Sequence, residues 1–208
     1  MKRKNKCKIC GRDYFRRYCE NCRRKEKHLQ LPMEKRLPFL PVRIIKELPE
    51  LDFSNIPDKN FQNLFLFGIA GSGKTMYAAK LCEQIIINSA IKNTACQIRF
   101  VSCVDLLQEL KDTYQKESTI SEREIIDKYN NADWLVLDDV GVEKTSDWAF
   151  QTLYLIINYR YENLRGLIIT SNLNLNELGR KWQDERIVSR IGEMCKVLEF
   201  TKNKRKRV

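Results

Sequence analysis

Residues Gly68-Ile69-Ala70-Gly71-Ser72-Gly73-Lys74-Thr75 read G-x-x-x-x-G-K-T, and no other stretch constrains the fold as tightly. A strand-like apolar run, Leu64-Phe65-Leu66-Phe67, enters it, and a helical pattern, Met76-Tyr77-Ala78-Ala79-Lys80-Leu81, leaves it. That strand–loop–helix setting is what a phosphate-binding loop requires. Glycines let successive backbone N–H groups and a helix N-terminus point at one anion. The motif therefore places Gly68, Ala70, Gly71, Ser72, Gly73, Lys74, Thr75 and Met76 around a bound nucleotide, ATP or ADP. Lys74 reaches the β- and γ-phosphates, and the Thr75 hydroxyl ligates Mg²⁺. A glycine-rich turn without a ligand is the bland alternative, and a second motif speaks against it.

That second motif is Trp134-Leu135-Val136-Leu137-Asp138-Asp139. Four apolar residues before two acids fit a buried parallel strand. Such a strand carries its carboxylates to the C-terminal edge of the sheet, where open α/β folds bind ligands. Asp138 is placed to hold Mg²⁺ through water, and Asp139 to orient or deprotonate an attacking water. Acids left in solvent at a strand end are the alternative, weakened by the loop that precedes them.

The chain has 208 residues, enough for one sizeable core and a small appendage. No apolar run approaches the roughly 18 residues that span a bilayer. The basic N-terminus lacks an apolar segment after it, so a cytoplasmic protein without secretory signal or membrane partner is expected. The net charge of +11 is concentrated at the two ends. Residues 1–28 carry 12 Lys/Arg against 3 Asp/Glu, and residues 201–208 carry 5 Lys/Arg and no acid. Charge gathered in this way suits a nucleic-acid or acidic-protein partner, or two solvated tails. All five prolines fall between Pro32 and Pro57, marking a tether. The tether also holds Leu37, Phe39, Leu40, Val42, Ile44 and Ile45, too apolar for a free linker, so it is expected to pack on a surface.

Cys7-x-x-Cys10 and Cys19-x-x-Cys22 form a tight quartet in the basic segment. Two such knuckles can supply four thiolates to one tetrahedral Zn²⁺. A segment this short cannot bury a core, so metal binding would supply its folding energy, on the order of 10 kcal/mol. Two disulfides or a redox dithiol are the other readings, disfavoured by a reducing compartment and by the lack of a βαβ pattern around the cysteines. Cys82, Cys96, Cys103 and Cys195 lie in apolar contexts without ligand spacing and read as small core residues. The boundaries expected are a basic four-cysteine zinc module over 1–28, a Pro-rich linker over 29–57, and an ATPase domain with a basic tail over 58–208.

Alternating patterns place strands at 64, 98, 134, 167 and 196, with helices between them. Ser121 with Glu124 three residues on marks a helix start. The expected fold is α/β, a five-stranded parallel sheet covered by helices.

Six ordered blocks resemble the bacterial and phage DnaC/IstB-like ATPases of the AAA+ class. They are the phosphate loop; Val101-Ser102-x-x-Asp105-Leu106-Leu107; Leu135-Val136-Leu137-Asp138-Asp139-Val140-Gly141; Leu153-Tyr154-x-Ile156-Ile157-Asn158-x-Arg160-Tyr161; Ile169-Thr170-Ser171-Asn172-Leu173; and Arg186-Ile187-Val188-Ser189-Arg190-Ile191. The resemblance implies an AAA+ P-loop three-layer αβα fold and an ATPase that loads a ring-shaped replicative helicase onto single-stranded DNA. The cysteine quartet is similar to the zinc module of loaders from Gram-positive bacteria and their phages, which implies helicase contact through that module. Asn172 corresponds to sensor 1, which positions water against the γ-phosphate. Arg190 corresponds to the arginine finger that completes a neighbour's site, with Arg186 one turn earlier as a second candidate, which implies self-association through the ATP site. Lys111, Tyr114 and Lys116 fall where related ATPases contact DNA. The chain departs from the family in carrying Asp139 where many members have Glu. Its last strand is followed by Thr201-Lys202-Asn203-Lys204-Arg205-Lys206 rather than a recognisable sensor 2 arginine. A transposition helper acting on duplex DNA and a non-catalytic nucleotide-switched adaptor are the competing readings.

Overall fold

Segments of five to seven residues become the strands of one parallel sheet: β3 Leu64–Gly68, β4 Ile98–Ser102, β5 Trp134–Val140, β6 Gly166–Ser171 and β7 Lys196–Phe200. A two-residue antiparallel pair, β1 Asn5–Lys6 and β2 Asp13–Tyr14, precedes them. The computed structural model describes residues 5–6, 13–14, 20–48, 62–115, 119–143 and 146–202, the first two pairs by backbone alone. Cys7, Cys10, Cys19, Lys116, Arg205 and Lys206 lie outside the described residues.

The sheet order is β4-β5-β6-β3-β7, and every pairing is parallel. The five strands expected from the sequence are therefore the five observed. The loop-bearing β3 lies between β6 and β7, and β5 lies beside β6, so the loop and the acid pair reach the same sheet edge. Central β5 and β6 are buried on both faces, which is why they read as continuous apolar runs rather than alternating ones. Edge strand β7 is largely exposed and carries Lys196 and Glu199, charges that discourage pairing with another chain.

Helices α5 Cys103–Asp112, α6 Glu122–Asn130, α7 Asp147–Glu162 and α9 Arg186–Met194 follow their sequence signals, and α8 Leu175–Trp182 precedes α9. Ser102, Ser121 and Ser146 cap α5, α6 and α7 by accepting the N–H three residues on. Ser121 and Glu124 form the full capping box. Leu106, Leu107 and Leu110 of α5, Leu153, Ile156 and Ile157 of α7, and Ile187 and Ile191 of α9 join Phe65, Leu135, Leu137, Leu167 and Ile169 in one core. Helix α8 has no counterpart in the sequence reading; Asn174 and Glu177 cap it with a second box.

The chain divides into two compact units, residues 1–52 with 79–96 and residues 53–78 with 97–208. In the first lie α1 Glu20–Leu29, α2 Met33–Arg36, α3 Val42–Glu47 and the continuation of α4 Lys74–Lys92. Pro32 and Pro41 stand immediately before α2 and α3, where a fixed φ and a missing N–H cost nothing. The tether folds as its composition demands: Leu37, Leu40, Ile44, Ile45 and Leu48 are buried. Arg36 donates to Glu83 of α4 at 2.9 Å, and Lys80 pairs with the same carboxylate at 2.6 Å. Cys82, Cys103 and Cys195 are buried and Cys96 partly so, as expected of core cysteines. Burial pushes the thiols of Cys82, Cys103 and Cys195 up, that of Cys195 to about 12. Among the described residues, no helix is long and apolar enough to cross a membrane.

Candidate functional site

Strand β3 ends at Gly68 with φ +138°, and a Cβ there would lie 2.1 Å from the Phe200 carbonyl oxygen. Only glycine permits β3 and β7 to approach this closely at the mouth of the loop. Gly71 and Gly73 follow at φ +77° and +94°, turning the backbone so that α4 starts at Lys74. Lys74 is 5% exposed, and its ammonium donates to the Gly68 and Ile69 carbonyls at 2.9 and 3.0 Å and to Asn172 Oδ1 at 2.9 Å. Ser72 is buried in the same loop, and its Oγ has no hydrogen-bond partner among the described residues. A buried hydroxyl left over beside a lysine and a row of loop amides is the chemistry that phosphate oxygens satisfy.

Asp138 arrives from β5 with 8% exposure. Its Oδ1 accepts from Thr75 Oγ1 at 2.9 Å and from Thr170 Oγ1 at 2.6 Å. Burial pushes this carboxyl above the ordinary carboxylate range. The Thr170 bond pulls it back, the Asp139 charge raises it, and the Thr75 bond and Lys74 charge lower it. A hydroxyl and a carboxylate 2.9 Å apart form the hard-oxygen set that Mg²⁺ takes, so Thr75 and Asp138 fit that ion. Asp139 is exposed, with φ +55°.

The structure thus brings together Lys74, Thr75, Asp138 and Asn172, from three separate places in the sequence. It does not bring Arg186 or Arg190 to them. Both belong to α9 and stack on aromatic rings of α7: Arg186 over Phe150 and Tyr154 at 5.9 and 5.0 Å, Arg190 over Tyr154 and Tyr161 at 4.8 and 5.8 Å. Arg186 also pairs with Asp184. Lys111 and Tyr114 gather around Trp148, with the ammonium 5.5 Å and the phenol ring 6.4 Å from the indole. Of the proposed zinc ligands, Cys22 is described, buried in the first turn of α1.

Three residues around the site went unassigned in the sequence. Thr170 touches both acids, since the Asp139 N–H donates to its Oγ1 at 2.9 Å. Ser171 donates to the Val140 carbonyl at 2.6 Å. Glu143, 5% exposed, accepts from the Gly141 N–H at 2.7 Å and the Trp182 indole at 3.1 Å, fastening the turn that leaves the acid pair. Thr170 and Ser171 stood in a noted block, but a hydroxyl on a buried strand looks like ordinary β-branched or small filler until its neighbour strand is known. Glu143 carried no signal beyond its place after a strand.

The sequence profile of one family, described as IstB-like ATP binding protein, matches residues 32–207. The chain is 25% identical over 134 residues to the replicative helicase loader DnaC of Escherichia coli K12, covering 64% of this chain and 51% of that one. It is 27% identical over 149 residues to the phage-like element PBSX protein XkdC of Bacillus subtilis, covering 69% and 52%. The chain therefore spans about half the length of these curated relatives. A crystal structure of the DnaC helicase loader superposes with a TM-score of 0.55 at 25% identity, covering 84% of this chain and 99% of that one.

Proposed function

We propose, on the premise that this chain belongs to the family of IstB-like ATP binding proteins, that it hydrolyses ATP and uses the nucleotide to load a DnaB-type replicative helicase onto single-stranded DNA. The observation that carries the ATPase reading is the meeting of Lys74 with Asn172 and of Thr75 with Asp138, each at 2.9 Å. The likeness to helicase loaders of that name supports the biological task.

In this reading the amides of 68–75 and Lys74 bind the phosphates. Asn172, already linked to Lys74, orients water on the γ-phosphate side. Thr75 and Asp138 hold Mg²⁺, which when bound neutralises charge on the phosphate oxygens. Asp139 stands in solvent at the strand end, where its carboxylate accepts a proton from the attacking water; being one methylene shorter than Glu, it makes turnover slow. Arg190, and Arg186 beside it, serve the site of a neighbouring copy, which accounts for their stacking on α7 away from their own phosphate loop. Zn²⁺ on Cys7, Cys10, Cys19 and Cys22 organises the N-terminal module that engages the helicase. Supporting this, Asn5 pairs with Tyr14 and Lys6 with Asp13 as a short antiparallel ladder in the same segment of the sequence. Four sulfur donors suit that ion.

The test is complex formation between this protein and its cognate DnaB-type helicase with ATP, read by size. A nucleotide-dependent complex that disappears when residues 1–50 are removed is expected; no complex under any condition overturns the loader. The family description favours a second reading, a transposition helper, and binding of duplex in preference to single-stranded DNA selects it. Hydrolysis at background for both wild type and Lys74→Ala, with DNA and helicase present, selects the nucleotide-switched adaptor.

A further inference from the structure

Strands β5 and β6 are in register up to Leu137 opposite Ile169 and again at Val140 opposite Ser171. Between these pairs β5 has two residues, Asp138 and Asp139, and β6 has one, Thr170. This is a β-bulge, a device that re-aims side chains at the cost of ladder bonds. The bulged residues are the two acids of the site, and the single residue facing them is fully buried. Its hydroxyl has one proton, which goes to Asp138 Oδ1 at 2.6 Å, and an acceptor lone pair, which takes the Asp139 N–H at 2.9 Å. The bulge also leaves Asp139 in the left-handed region at φ +55°, a conformation a non-glycine residue keeps only when its surroundings hold it.

We propose that Thr170 is a positioning residue, a clamp that fixes both acids at once: it locks the rotation of the Asp138 carboxylate and pins the backbone of Asp139. The inference rests on the Mg-ATP reading above for its consequence, and on geometry alone for the clamp. Asp138 Oδ1 takes two hydroxyl donors, so the carboxylate plane is set before any ion arrives, and binding Mg²⁺ requires no reorientation. Without the hydroxyl, the Asp139 amide loses the partner that replaces its ladder bond, and the carboxylate turns freely about a single contact to Thr75.

The experiment uses the full chain in three forms: wild type, Thr170→Val, which keeps the shape and removes the hydroxyl, and Thr170→Ser, which keeps the hydroxyl and removes the methyl. Thr170→Ala is read in place of the valine variant if the latter does not fold. The first readout is amide hydrogen exchange at Asp139 without nucleotide; it should quicken at least tenfold in Thr170→Val and stay near wild type in Thr170→Ser. The second is ADP affinity by calorimetry, in EDTA and across a Mg²⁺ titration. Loss of a hydrogen bond to a carboxylate should raise the Mg²⁺ half-saturation about tenfold in Thr170→Val while affinity in EDTA is unchanged. Unchanged Asp139 exchange in Thr170→Val overturns the clamp. Equal loss of affinity with and without Mg²⁺, or a serine variant as impaired as the valine one, assigns the residue a packing role and also overturns it. Wild type that binds no nucleotide while the exchange result holds overturns the ATP reading and leaves the clamp as geometry only.

Discussion

Arg160 offers the sharpest test of how the sheet delivers its functional edge. It is fully buried on α7, and its hydrogen bonds among the described residues all go to backbone carbonyls. Its guanidinium donates to the carbonyls of Tyr129 at 2.7 Å, Asn130 at 3.3 Å, Ala132 at 3.0 Å, Asp133 at 3.2 Å and Gly166 at 2.5 Å. The first two are terminal carbonyls of α6, which lack intrahelical partners. The others lie where β5 and β6 begin, so one side chain ties down the roots of the strands whose tips carry Asp138 and Asn172. Each bond from a charged donor contributes about 1.5–3 kcal/mol in isolation, but the five carbonyls share one cation and their losses overlap. Removing the partner of several buried polar groups costs roughly 3–5 kcal/mol, a large share of a typical stability of about 5–15 kcal/mol. Arg160→Met should therefore lower the urea midpoint strongly at unchanged m-value, followed by far-UV circular dichroism. Arg160→Lys should recover only part, because three donors on one nitrogen cannot span carbonyls from three segments. Burial lowers the arginine pKa to about 10, below its ordinary value, so the group remains charged at neutral pH. The unfolded chain then binds the extra proton only between those values, so the loss measured at pH 6 and pH 8 should be equal. A methionine variant within about 1 kcal/mol of wild type would refute the argument that these carbonyls depend on the guanidinium.

Other expectations follow the same logic. Mixed with Lys74→Ala, Arg190→Ala should regain ATPase activity that neither shows alone, since an intact loop then meets an intact finger; no complementation at any ratio rules out a trans role. Purified protein should hold one Zn²⁺ per chain by elemental analysis, and a chelator should reduce helical signal and abolish helicase binding while ADP still binds. The Ser121 bonds hold the Glu124 carboxyl below its ordinary value. A lowered acid contributes stability above its unfolded pKa and loses it as pH falls through the folded one. The urea midpoint of wild type should therefore drop more steeply on acidification below the ordinary Glu value than that of Ser121→Ala, and parallel curves would refute the cap's contribution.

What could be read directly were features whose causes are local. The phosphate loop needs glycines at fixed offsets, and Gly71 and Gly73 take the positive φ that such a turn demands. The helix start at Ser121 follows from a hydroxyl that reaches an N–H three residues away, with Glu124 returning the bond. The acid pair ends an apolar run that could only be a buried strand. Helix α8 escaped because its eight residues lie between stronger signals, and its Asn174–Glu177 box resembles a turn until the helix is seen.

The amino-acid order by itself singled out the candidate residues: Lys74, Thr75, Asp138 and Asp139 sit in patterns whose spacing is chemical. Only the tertiary structure decided how those residues are held. Thr170 stands some thirty positions from the acids, Arg160 about as far from α6, and Tyr154 a similar distance from the arginines that stack on it. Each matters because of which strand or helix lies alongside. Adjacency in a parallel sheet is set by crossovers and packing of the whole chain, and no local period encodes it.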